Sequence, residues 1–176
     1  MFQNKEKLIA VWLIPTKKDY DILHGIIKDL SRKFNSSCFE PHLTIYAAKA
    51  SQIESYEHLS NYITQIISPI LLNIIGLKHS SEFTKTLYIS FGESPKLLEI
   101  TSKINKQFKH GISSYDPHLS LLYSSTQKNN RKKLAENIII PIEHILFDKV
   151  KLIEAHIPVE SNNDVNSWRI INEIQL

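Results

Sequence analysis

The stretch Phe39-Glu40-Pro41-His42-Leu43-Thr44-Ile45-Tyr46 has a second copy downstream, Tyr115-Asp116-Pro117-His118-Leu119-Ser120-Leu121-Leu122. Each copy reads aromatic, acid, Pro, His, Leu, hydroxyl, aliphatic, and closes on Tyr or Leu. The two histidines stand 76 positions apart, and the same offset carries Trp12 onto Tyr88. It also lays the amphipathic stretch from about Asp19 to Phe34 over the one that follows Ser94, and the Ile70 segment over Phe147 to Ile153. Strand, helix, His strand, helix and strand therefore occur twice, a unit longer than solenoid repeats and only two copies deep. The expected fold class is α+β, with duplicated β-α-β-α-β units that make a bilobal molecule of approximate two-fold symmetry.

The segments around the motif support that frame. Leu8-Ile9-Ala10-Val11-Trp12-Leu13-Ile14 is an unbroken apolar run of strand length, which predicts a buried central strand. Leu23, Ile26, Ile27, Leu30 and Phe34 recur at helical spacing. Ser51-Gln52-Ile53-Glu54 has the form of a capping box and predicts the start of a second helix. Strands are expected from Ile70 to Leu77 and from Thr86 to Phe91. Ser94 as N-cap and Pro95 at the first helical position open a third helix, with Leu97, Leu98, Thr101, Ile104 and Phe108 as its packed face. A weaker helix spans roughly Lys128 to Ile138. Glu143 to Ile157 reads as one long strand or a pair with a bulge near Asp148, and Ser167 to Glu173 as the final strand.

A chain of 176 residues has the size of one domain, and residues 1–176 are read as such. Its formal charge of +3 is too small to argue for duplex DNA binding and suits a small anionic ligand. Cys38 is the only cysteine, so no intrachain disulfide forms and a reducing compartment is expected. The apolar run that stops at Pro15 is short for a signal segment and far short of a membrane span. A cytoplasmic monomer without membrane association is the expectation.

Residues i and i+2 of a strand share a face. His42, Thr44 and Tyr46 thus point one way, and His118, Ser120 and Leu122 repeat the arrangement. Packed about a pseudo-two-fold axis, both His–hydroxyl pairs can face one groove. Two imidazoles across a groove suit phosphodiester hydrolysis without metal, one as base for the nucleophile and one as acid for the leaving oxygen. The Thr44 and Ser120 hydroxyls can donate to non-bridging phosphate oxygens. Packing alone asks for neither a His nor a hydroxyl on the same face of both strands. Tyr46, on the His42 face, is a candidate for stacking on a base.

Pro-His-Leu-Thr-Ile and Pro-His-Leu-Ser-Leu-Leu-Tyr resemble the paired His-x-Thr/Ser signatures of the 2H phosphoesterase superfamily, and within it the plant- and yeast-type cyclic nucleotide phosphodiesterases. Val11-Trp12-Leu13-Ile14-Pro15 resembles their opening strand, and the Trp168 strand has a counterpart, so the likeness runs along essentially the whole chain. The resemblance implies two antiparallel sheets around a central groove, His42 and His118 as the acid/base pair, and Thr44 and Ser120 as phosphate-binding hydroxyls. It adds Trp12 and Tyr123 as residues lining the site. Strict alternation, however, puts Tyr123 on the face opposite His118, so the strand ends or twists there or Tyr123 is core. A family aromatic near the substrate matches Phe83, for which packing is the competing role. The cysteines that plant members carry near the second motif have no counterpart here. The implied activity is opening of a nucleoside 2',3'-cyclic phosphate or ADP-ribose 1'',2''-cyclic phosphate to a monoester, with no cofactor and no metal.

Two alternatives stand beside it. The same site could act on 2',5'-oligoadenylate or cyclic oligonucleotides, with RNA ends among its partners. Or the chain could be a nucleotide- or RNA-binding module that has lost catalysis. The basic run Lys128-Asn129-Asn130-Arg131-Lys132-Lys133 reads as a solvated helix start, with attraction of a longer nucleic acid as the other reading. His24, His58, His79, His110, His144 and His156 show no metal-ligand spacing, and only His110 lies on the loop feeding the second motif. With four glycines in all, no Gly-rich phosphate loop is expected.

Overall fold

The apolar run at the start of the chain becomes β1 (Glu6–Pro15), buried from Ile9 to Ile14 because strands flank it on both sides. The structure, a computed structural model, describes residues 5–109, 111, 116–125 and 128–176. After β1 come α1 (Lys17–Phe34), β2 (Leu43–Lys49), α2 (Tyr56–Ile66), β3 (Ile70–His79), β4 (Leu87–Phe91) and α3 (Pro95–Phe108). The chain continues with β5 (His118–Leu122), α4 (Lys128–Asn137), β6 (His144–Ile157), α5 (Asn162–Asn166) and β7 (Arg169–Gln175).

All pairings are antiparallel, in the order β1-β2-β5-β4-β3-β6-β7, and β1 also pairs with β6. The two expected sheets are therefore joined by hydrogen bonds into one seven-stranded sheet that returns on itself. The His strands meet at a single register point, Leu43 opposite Leu119, and those residues are related by the 76-residue offset. The pseudo-two-fold axis passes through that pair. On the far side the halves are joined where Ile70 to Asn73 of β3 meet the first residues of β6.

β1 divides its faces between two environments. Ile9, Val11 and Leu13 enter the main core with Leu23, Ile27 and Leu30 of α1. Ala10, Trp12 and Ile14 form a separate small cluster with Ala47 and Ile153 on the other face. Both faces avoid water, which is why the run shows no alternation.

Several boundaries follow local chemistry. Ser94 caps α3 by accepting from the Leu97 N–H, with Pro95 in the first turn. The buried face of α3 is Leu97, Ile100 and Ile104, while Leu98 is 48% exposed, so the expected stripe was rotated by one position. α2 starts later than the Ser51 pattern predicts. Ala50–Gln52 makes a 3-10 turn, Ile53 drops into the core in extended backbone, and Ser55 caps the helix instead, through the His58 N–H. β6 is one strand, and its register against β1 skips Asp148, where the bulge was expected. α5, capped by a reciprocal Ser161–Asp164 box, was not anticipated.

Candidate active site

Residues 36–42 run without regular structure into β2, with Pro41 just ahead of His42 where its missing N–H breaks no ladder bond. His42 turns its Nδ1–H back onto the carbonyl of Glu40 at 2.6 Å. His118 makes the same bond to the carbonyl of Asp116 at 2.8 Å. A carbonyl only accepts, so Nδ1 carries the proton in both rings, and Nε2 is left as the nitrogen able to exchange one. Both imidazoles are thus presented in the same tautomer by the same main-chain device.

The faces of the two strands are set by a pair of bulges. Between β1 and β2, Val11 stands opposite Tyr46 and Trp12 opposite Thr44, which leaves Ile45 unopposed. Between β4 and β5, Leu87 stands opposite Leu122 and Tyr88 opposite Ser120, which leaves Leu121 unopposed. Ile45 and Leu121 are again 76 positions apart. An extra residue resets the alternation beyond it. Tyr46 therefore joins the core beside Val11, and Tyr123 comes round to the face that carries His118 and Ser120.

His42, Thr44, His118, Ser120, Tyr123 and Trp12 line one cavity of about 310 Å³. Trp12 lies flat on the His42 ring, with centroids 3.6 Å apart and planes 12° from parallel. Trp168 meets both Trp12 and His42 edge-on, at 5.2 and 6.0 Å. The Tyr123 hydroxyl is 3.5 Å from Nε2 of His42, and Phe39 stacks on the Tyr123 ring at 3.9 Å. Opposite, Tyr88 meets His118 edge-on at 5.5 Å, in the place that Trp12 holds in the first half. Thr44 is exposed, whereas Ser120 is buried and donates to the Thr84 carbonyl at 2.8 Å. Away from the histidines the wall is apolar, with Ala10, Ala47, Ala155, Ile157 and Val159.

The two imidazoles differ in their electrostatics. Burial under Trp12 and Trp168 pushes His42 down to about 4, against the Glu40 carbonyl, which favours the imidazolium, and with a small further push from His118. His118 is also lowered, first by burial, with the Asp116 carbonyl opposing and the Lys85 cation adding to the fall. Burial raises the Tyr123 phenol far above its ordinary range, so it is a neutral donor. Among the described residues no group of three or more His, Cys, Asp or Glu side chains is placed to hold a metal ion.

Residues 8–176 match the family model described as cyclic phosphodiesterase-like protein. The chain belongs to the cyclic phosphodiesterase-like family. It is 18% identical over 137 residues to the cyclic phosphodiesterase of Arabidopsis thaliana, a match covering 77% of this chain and 76% of that protein. Among solved structures, E. coli LigT complexed with phosphate superposes at a TM-score of 0.59, with 13% identity and 99% of each chain covered. LigT complexed with 3'-AMP superposes at 0.60, with 11% identity over 98% of this chain and 99% of that one. The fold of this cyclic phosphodiesterase-like chain is thus that of the 2H phosphoesterases.

Of the residues singled out from sequence, the structure brings together His42, Thr44, His118, Ser120, Trp12 and Tyr123. Tyr46 does not line that cavity, though it edges the neighbouring hollow shared by Thr44 and His118. Tyr46 is buried in the main core, its hydroxyl donates to the Lys109 carbonyl at 3.1 Å, and burial raises its phenol. Phe83 packs against the core, 6.2 Å from the Tyr123 ring. His110 and Tyr115 lie outside the described residues. Sequence reasoning left out the groove-wall role of Trp168, whose Nε1 is buried without a partner, and Thr84, whose carbonyl holds Ser120. The family's C-terminal Trp was the available signal for the first. A main-chain carbonyl leaves no signal in a sequence. No described helix is long and apolar enough to cross a membrane.

Proposed function

We propose that this chain hydrolyses a cyclic phosphodiester of a nucleotide, a nucleoside 2',3'-cyclic phosphate or ADP-ribose 1'',2''-cyclic phosphate, without metal, through His42 and His118. The observation that carries the reading is the pair of Nδ1–carbonyl bonds, which leave both Nε2 atoms as the exchangeable positions of one cavity. Neutral His42, held below the ordinary range, is suited to take a proton from water; the less deeply buried His118 is suited to supply one. Water oxygen bonds to phosphorus, its proton passes to His42 Nε2, the bond from phosphorus to one ribose oxygen breaks, and that oxygen takes the proton of His118 Nε2. Thr44 donates to a non-bridging oxygen. Ser120 does so once its hydroxyl rotates from the Thr84 carbonyl. The product is a phosphomonoester, by family analogy the 2'-phosphate.

The size and lining of the cavity support a small substrate. About 310 Å³ is at the lower end for a small-molecule site. Its apolar wall and Trp168 suit a base or other flat group. E. coli LigT, which shares the fold, has been solved with phosphate and with 3'-AMP, a nucleoside monophosphate. The hollow beyond Thr44 carries Glu82 and the Asp116–Lys85 pair, so it offers no net positive charge to a longer phosphate chain.

Two results are expected in assays of the purified protein. In EDTA, turnover of the best cyclic phosphate stays within about twofold of its untreated value, since both proton transfers belong to side chains. A rate that collapsed and returned on adding metal would contradict the reading. The pH profile of kcat/KM should be a bell on the acid side of neutrality. Its acid limb falls as His42 gains a proton near pH 4, and its basic limb falls as His118 loses one below its ordinary value of 6.5. The two limbs belong to the pair, and a bound phosphate anion should raise both in kcat. A profile that kept rising through pH 8 would count against it.

A further inference from the structure

The two Nδ1 bonds end on acceptors that the strand ladders do not hold. Glu40 lies in the irregular segment before β2, and Asp116 in the short irregular stretch before β5. Each instead has its carboxylate tied to a lysine. Lys151 of β6 donates to both Glu40 oxygens at 2.8 Å and also reaches Glu173 at 3.1 Å. Its side chain is only 7% exposed, and it stands directly across the sheet from Trp12. Burial works against the Lys151 cation, but Glu40 and Glu173 outweigh it and raise its pKa, so it is charged. In the other half Lys85, at the end of the 3-10 turn before β4, pairs with Asp116 while its ammonium sits 4.6 Å over the Tyr88 ring. The pairing with Lys85 holds the Asp116 carboxyl below its usual range.

Duplication explains why the acid, Pro and His recur. It does not explain the lysines. The 76-residue offset carries Lys85 back to Ile9 and Lys151 back to Ile75, so neither lysine has a basic counterpart in the first repeat. Two cations reach equivalent acids from non-equivalent places in the chain, one along β6 and one from a turn.

We propose that Lys151 and Lys85 are positioning residues, each anchoring the acid whose main-chain carbonyl sets the tautomer and direction of one active-site imidazole. Lys151 acts through Glu40 on His42, and Lys85 acts through Asp116 on His118. The catalytic part of this inference rests on the function proposed above; the anchoring does not. A histidine's free nitrogen is chosen by the hydrogen bond that the other nitrogen makes. Releasing the acid lets the acceptor carbonyl swing, and the ring loses both its tautomer and its aim.

The test reads the apo protein and its turnover separately. Imidazole ¹⁵N spectra at a pH where both rings are neutral should show the Nδ1–H tautomer for His42 and His118 in the unaltered chain. Lys151→Met should mix the tautomers of His42 and leave His118 unchanged, and Lys85→Met should do the reverse. Arg at either position should keep the starting spectrum. Turnover should fall about 10- to 100-fold in kcat with little change in KM for each Met variant, the scale expected for a misplaced catalytic group. Lys85→Met combined with Asp116→Asn should cost no more than the worse single change, because lysine and acid act as one unit. If Lys151→Met does not fold, Glu40→Gln carries the same expectation for His42. Unchanged tautomers in folded variants, or additive losses in the double variant, would overturn the proposal. A chain that turns over no phosphodiester would still answer the tautomer question, so failure of the function and of the anchoring are told apart.

Discussion

Replacing His118 with alanine is expected to lower turnover of a 2',3'-cyclic nucleotide by about a hundred- to ten-thousand-fold, the usual range for loss of a positioned acid or base. Removing the ring should cost little stability. His118 is at the start of β5, only partly buried, and touches Tyr88 at its edge. The departing ribose oxygen is a poor leaving group unless a proton reaches it as the bond to phosphorus breaks. An aryl phosphodiester leaves without that help. On such a substrate the deficit of His118→Ala should shrink to about tenfold or less, because the acid contributes little there. An equal loss on ribose and aryl leaving groups would mean that His118 is not the acid.

His42→Ala should give a loss of similar size that an aryl leaving group does not relieve, since the attacking water still needs its base. This variant differs in its structural cost. His42 is 6% exposed, pressed under Trp12 and edge-on to Trp168, so alanine leaves space inside the aromatic cluster. His42→Gln keeps more of the volume and lacks the base. It should lose turnover as fully as His42→Ala while melting closer to the unaltered chain. A Gln variant retaining near-normal rates would remove His42 from the chemistry. Thr44→Ala and Ser120→Ala should show smaller losses, because each removes one donor to phosphate and no proton transfer.

The duplicated motif was enough to expect two related units and a site between them, because the 76-residue offset acts on whole segments. It was also enough to single out His42, Thr44, His118 and Ser120, which the structure gathers around one cavity. The aromatic neighbours were harder to place. Alternation put Tyr46 on the His42 face and Tyr123 off the His118 face, and the same bulge, present once at Ile45 and once at Leu121, reverses both assignments. A bulge at an ordinary aliphatic residue, with no Gly beside it, has no pattern of its own in sequence. The lysine clamps were equally invisible. Lys85 and Lys151 lie far from the motifs in the chain and reach them only through sheet register. The pKa asymmetry of two matching motifs likewise comes from what covers each ring, Trp12 and Trp168 over His42, and Tyr88 at the edge of His118.

The most direct measurement of the central claim is hydrolysis of a 2',3'-cyclic nucleotide by the purified chain in EDTA and ¹⁸O-water, with the products read by ³¹P NMR and mass. The expected result is one phosphomonoester regioisomer carrying one ¹⁸O on phosphorus, formed by the unaltered chain and lost in both His42→Gln and His118→Ala. Formation of that product at an undiminished rate by either histidine variant, or only after metal is restored, would contradict a reaction carried by these two imidazoles.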